Sequence, residues 1–78
     1  MSIDEIKLKY YRAMRTFWLG MERQSDKLAD IAYRNNNIGI YKKFNDLFWV
    51  SSRKYHKYYD KVHQSHEKLI NSLLKAEE

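Results

Sequence analysis

Lys54, Lys61, Lys68 and Lys75 recur at seven-residue intervals in a chain of 78 residues that contains no proline. A seven-residue step returns a helical side chain to nearly the same angle, so the four lysines line one edge of one long helix. Lys43 and Lys57 fall within about 40° of that edge at 100° per residue. With no proline to stop a helix, and Gly20 and Gly39 the only glycines, the chain has few places to turn.

The strongest turn signal is Asn35-Asn36-Asn37-Ile38-Gly39. Asparagine tolerates left-handed backbone angles and glycine adopts them freely, and both end helices. Before it, Ile3, Ile6, Tyr10, Met14, Phe17, Met21, Leu28 and Ile31 keep a helical apolar phase, opened by the capping-box spacing of Ser2 and Glu5. After it, Tyr41, Phe44, Phe48, Tyr55, Tyr59, Val62, His66, Leu69 and Leu73 do the same. The pattern predicts an all-α fold: helix over about 3–34, turn at 35–39, helix over about 40–76, in one domain spanning 1–78.

A short connection favours antiparallel neighbours, which places residue i near residue 73 minus i. Phe17 is then expected at His56, Tyr10 at His63 and Ile3 at Ile70. One stretch fits badly. The polar run Glu22-Arg-Gln-Ser-Asp-Lys27 lies opposite Leu47-Phe48-Trp49-Val50, which is apolar all round. Two hairpins pairing into a four-helix bundle would cover that run. A break at Ser25-Asp26, giving three helices, is the alternative. Tyr11 and Trp18 sit about 80–100° off the first helix's apolar stripe, more width than one partner helix covers, and this favours the homodimer.

Composition narrows the class. Fifteen basic against ten acidic residues leave a net charge of +5, which suits nucleic acid, an anionic membrane surface or an acidic protein patch. It argues against a DNA mimic, which needs carboxylates. No cysteine is present, so neither disulfides nor thiolate metal sites can staple the fold. No apolar run approaches the roughly 18 residues of a membrane span, so a soluble, cytoplasmic protein is expected. The Asn-, Lys-, Tyr- and Ile-rich usage suggests an AT-rich genome and a viral or mobile-element gene.

Three sets of residues carry functional expectations. Lys54, Lys57, Lys61, Lys68 and Lys75 could track a phosphate backbone, although coiled-coil flanks are often lysine simply because the stem covers the core edge. Lys7, Lys9, Arg12 and Arg15 form a basic run expected beside Lys57 and Lys61. Tyr11 and Trp18 next to Arg12 and Arg15 would then make a stacking platform for single-stranded bases. Trp49, His56, His63 and Ile70, again seven apart, lie on the flank opposite the lysines. A hairpin does not need that flank and a partner helix would, and protonated imidazoles would weaken the contact below about pH 6.5.

Chemistry beyond binding has little to stand on. Asp60, His63, His66 and Glu67 have helical spacing for a metal, but no second ligand set accompanies them, so no metal or cofactor is expected. There is no nucleophile elbow, no phosphate-cradling glycine loop and no pocket-forming fold for a small-molecule substrate. The expectation is a small non-catalytic regulatory protein that binds a protein target, with nucleic-acid binding through the lysine edge as the alternative. A membrane-surface role ranks behind both.

Overall fold

The computed structural model describes residues 3–77, and helix accounts for all of them except Asn35, Asn36 and Asn37. Helix α1 runs Ile3–Arg34 and helix α2 runs Ile38–Glu77. The two pack side by side as an antiparallel hairpin. Asp4 and Glu5 in the first turn of α1, and Arg34 and Lys75 in the last turns of α1 and α2, each oppose the local helix dipole. Ser2 of the expected capping box lies outside the described residues.

The turn is tighter than the sequence predicts. Asn36 takes the left-handed conformation, φ 57°, and Gly39 does not, being already inside α2. The Asn37 amide donates to the Ala32 carbonyl at 2.9 Å and the Asn36 amide to the Tyr33 carbonyl at 3.1 Å. These are the two bonds of a Schellman C-cap, with asparagine where glycine is commoner. Asn37 then caps α2: its Oδ1 accepts from the Ile40 amide at 3.3 Å.

The helices meet along one seam. On α1 it is Asp4, Leu8, Tyr11, Arg15, Trp18, Glu22, Ser25, Ala29 and Ala32. On α2 it is Tyr41, Phe44, Phe48, Ser51, Tyr55, Tyr58, Val62, Ser65 and Leu69. All are buried or half-buried. Steps of three and four alternate throughout, the 3.5-residue period of a left-handed coiled coil. The expected register holds to within one residue at Asp4 beside Lys68 and Tyr33 beside Tyr41, while the Tyr10 and Tyr11 rings reach along the axis to Tyr58 rather than to residues 62 and 63. It sets Ser25, Ala29 and Ala32 level with Phe48, Phe44 and Tyr41. Small side chains on one helix face large ones on the other, which lets the axes approach.

This seam corrects the expected one. The apolar stripe of α1 was expected inside, yet Ile3 is 71% exposed and Phe17 54% exposed. Their expected partners His56, His63 and Ile70 also face solvent. The levels along the axis are right and the rotation of α1 is wrong by about one residue, or 100°. The break at Ser25-Asp26 is absent as well. α1 is continuous there, because Ser25 at 1% exposure is a seam residue rather than a cap. The three-helix alternative falls with it.

A single seam is a thin core. The hairpin measures 63 × 17 × 12 Å with a radius of gyration of 17.8 Å, against about 11.5 Å for a compact chain of this length. Among the described residues four apolar ones are buried: Leu8, Ala29, Ala32 and Val62. At the middle of the seam the Trp18 Nε1, Glu22 Oε2 and Ser51 Oγ atoms are buried without hydrogen-bond partners.

Candidate interaction surfaces

An antiparallel coiled coil presents two broad sides, one built from the residues preceding each seam residue and one from those following. Lys7 precedes Leu8, and Lys61 and Lys68 precede Val62 and Leu69; the three share a groove with Tyr11, Gln64 and Ser65. Asp26, Asp30 and Tyr33 of α1 line a second groove with Tyr41 and Asn45 of α2. The first is the lysine side of the molecule. The second belongs to the histidine side.

On the lysine side Lys54, Lys57, Lys61, Lys68 and Lys75 are all exposed. Two of them have local partners. The Lys68 ammonium lies 3.5 Å from the Asp4 carboxylate, and Lys57 stands 5.7 Å from the centroid of the Tyr58 ring, within cation–π range. The Tyr10 phenol is held above its ordinary pKa, first by a hydrogen bond to Tyr58 and then by that neighbour's charge when ionised, with nearby Lys57 pulling the other way.

The basic run of α1 does not gather where the sequence predicts. Lys7 faces the lysine side, but Lys9 and Arg12 follow seam positions and face the other, while Arg15 is half-buried in the seam. Tyr11 and Trp18 are half-buried between the helices, Tyr11 beside the Tyr58 ring at 6.2 Å and the Trp18 Nε1 shut off from solvent. The stacking platform expected of Tyr11, Arg12, Arg15 and Trp18 is therefore not presented as one surface. A seven-residue spacing fixes a face. It does not say which face the partner helix takes.

The histidine side holds Trp49, His56, His63 and Ile70 together, as their spacing requires. Trp49 is 57% exposed, Ile70 is also exposed, and both histidines face solvent. Aromatic contacts stiffen the row: Phe48–Trp49 at 5.3 Å, Tyr55–His56 at 5.5 Å and Tyr59–His63 at 4.8 Å between ring centroids. Sequence reasoning missed Leu73 as a surface residue of this row, assigning it to the core with Tyr59. Both are exposed and extend the row along α2. Tyr59 follows the seam residue Tyr58 and Leu73 lies one turn beyond Leu69, the last seam residue, a signal that becomes readable only once the seam is known.

Among the described residues no group of three or more His, Cys, Asp or Glu side chains is placed to hold a metal ion. Among the described residues no helix is long and apolar enough to cross a membrane. No family model, curated protein or solved structure matches the chain.

Proposed function

We propose that this chain is a small non-catalytic binding protein that acts by docking on a protein target through the histidine side of α2. The contact residues are Trp49, His56, His63 and Ile70. The observation that carries this reading is the exposed aromatic and aliphatic row from Trp49 to Leu73, which the hairpin itself does not use. Large rigid side chains such as Trp and Tyr, with apolar neighbours, are what protein interfaces use as anchors. The protein works as a homodimer, two hairpins making one four-helix assembly, because one seam leaves apolar surface of the hairpin uncovered.

Nucleic-acid binding along Lys54, Lys61 and Lys68 is the second reading, favoured by the groove that brings Lys7, Lys61 and Lys68 together. Two observations set it behind. Lys68 is paired with Asp4 and Lys57 sits at Tyr58. The aromatic side chains that would stack on bases lie in the seam.

Two sets of substitutions separate the readings. Trp49→Ala with Ile70→Ala should abolish capture of a protein target and leave oligonucleotide binding alone. Lys54, Lys61 and Lys68 changed together to Gln should do the reverse if phosphates are bound. In that case the slope of log affinity against log salt should drop by about two to three, at 0.7–0.9 released counterions per contact. A target whose binding survives the Trp49/Ile70 pair and fails with the lysine triple would refute the protein reading.

A further inference from the structure

We infer that the outer face of α1 is the self-association surface, on which a second copy lays its own α1, antiparallel, with Ala13 and Gly20 at the closest approach. This rests on the reading of the chain as a dimer and adds which helix forms it. The face is Ile3, Ile6, Tyr10, Ala13, Phe17 and Gly20, all exposed. Their spacing alternates three and four, the same period as the seam with α2, and lies about 150° around the helix from it. α1 therefore carries two coiled-coil seams, and apart from Tyr10, whose ring lies 6.3 Å from that of Tyr58, the second has no partner in the hairpin.

Four observations name a second copy as the occupant. First, the chain exposes 6319 Å², about 1,200 Å² more than a compact monomer of its 9.6 kDa. A standard interface removes about 800 Å² from each partner, so one such contact absorbs most of the excess. Second, the outer ridge of α1 is Ile6, Ala13, Gly20 and Lys27, with one charge, whereas the matching outer ridge of α2 is Asp46, Arg53, Asp60 and Glu67, charged throughout. The self-contact belongs to α1. Third, Gly20 sits in mid-helix on this face with no atom within 4 Å of where its Cβ would be. Nothing in the hairpin asks for a glycine there, and mid-helix glycine disfavours the helix. Close approach of another backbone is the physical reason for one.

Fourth, the face is complementary to itself. Antiparallel pairing about a two-fold axis beside Phe17 sets Ala13 near Gly20, Tyr10 near Gln24 and Ile3 near Ile31, with Phe17 meeting its own copy. It also lays the net basic stretch 3–17 against the net acidic stretch 18–31. The Phe17 rings meet on the axis, an Ala13–Gly20 pair packs on either side of them, and larger residues fill the ends. The two α1 helices form the centre of the four-helix assembly and the α2 helices flank it, leaving the row from Trp49 to Ile70 open.

The test is sedimentation equilibrium of the full chain and three variants, with circular dichroism to check helicity. Gly20→Leu meets open space in the hairpin, so only a second copy can object to it. It should raise the dimer dissociation constant by on the order of 100-fold at unchanged helicity. Phe17→Asp should do the same, and Trp49→Ala should leave the dimer intact. A wild-type chain that stays monomeric at high micromolar concentration overturns both the dimer and this face. If that monomer binds phosphatidylserine vesicles in a Phe17-dependent way, the face belongs to lipid. A wild-type dimer that tolerates both Gly20→Leu and Phe17→Asp keeps the dimer and overturns this face, and loss of that dimer in Trp49→Ala moves the contact to α2.

Discussion

Removing one hydroxyl from the centre of the hairpin should make it more stable. Ser51 is 0% exposed and its Oγ has no hydrogen-bond partner. A buried polar group left unpaired costs about 1–3 kcal/mol relative to the same group in water. Alanine keeps the small volume that the seam needs at this level and is the better helix former by a few tenths of a kcal/mol. Ser51→Ala should therefore stabilise the protein by about 1–2 kcal/mol, a rise of roughly 5–10 °C in melting temperature for a domain of this size. Thermal and urea unfolding followed by circular dichroism measure it, at fixed protein concentration so that the proposed self-association does not move the midpoint. Ser51→Leu is the control. It should destabilise by about 1–3 kcal/mol through overpacking. A loss of 1 kcal/mol or more in Ser51→Ala would refute the reasoning. It would mean that the hydroxyl is bonded in solution, with the Glu22 carboxylate at the same level of the seam, and that the polar centre is a network. A double-mutant cycle between the two positions would then show coupling where a pair of isolated groups shows none.

Asn36→Ala should cost about 1–2 kcal/mol because a β-carbon is strained in the left-handed conformation, while Asn36→Gly should be neutral or better. Gly39→Ala should stabilise by up to about 1 kcal/mol, since that residue is helical and its added Cβ meets nothing closer than 4.0 Å; a strong loss would relocate the turn. The raised pKa of Tyr10 means that its hydrogen-bonded, protonated form contributes fully below pH 10 and is lost as pH rises through the folded-state value. Tyr10→Phe should therefore flatten the alkaline limb of the stability curve, and tyrosinate absorbance should show one fewer late-titrating phenol. Asp4→Asn should cost no more than about 1 kcal/mol, and added salt should erase the difference, because the pair with Lys68 is exposed.

How much of this was legible follows from what hydropathy can see. The 3.6-residue period and the absence of proline give both helices, and the asparagine triplet places the connection within one or two residues. The antiparallel level, residue i beside 73 minus i, follows from the turn. The rotation of α1 does not. Ile3, Tyr10 and Phe17 outweigh Ser25, Ala29 and Ala32 on any apolar scale, so the stripe drawn from hydropathy lies one residue from the true seam. Volume decides instead: only the small residues fit opposite Phe44 and Phe48 in a close-packed pair. Tyr11 and Trp18, visible in the sequence as apolar residues off the stripe, were the trace of the seam with α2. The lysine edge and the row from Trp49 to Ile70 were legible as faces, because a repeat of seven survives any error in rotation. The outer face of α1 was not legible as a surface, since it had been assigned to the core.

Small-angle scattering of the wild-type chain over a concentration series tests the central claim most directly. That claim is that a hairpin with one seam is half of its own folded unit. The account predicts a particle of about 19 kDa, twice the 9.6 kDa of the chain, reached at micromolar concentration. Its long dimension should stay close to the 63 Å of one hairpin, because Phe17 lies near the hairpin's midpoint and side-by-side pairing adds width rather than length. A monomer with a radius of gyration near 17.8 Å at every concentration, or a dimer roughly twice as long, would contradict it.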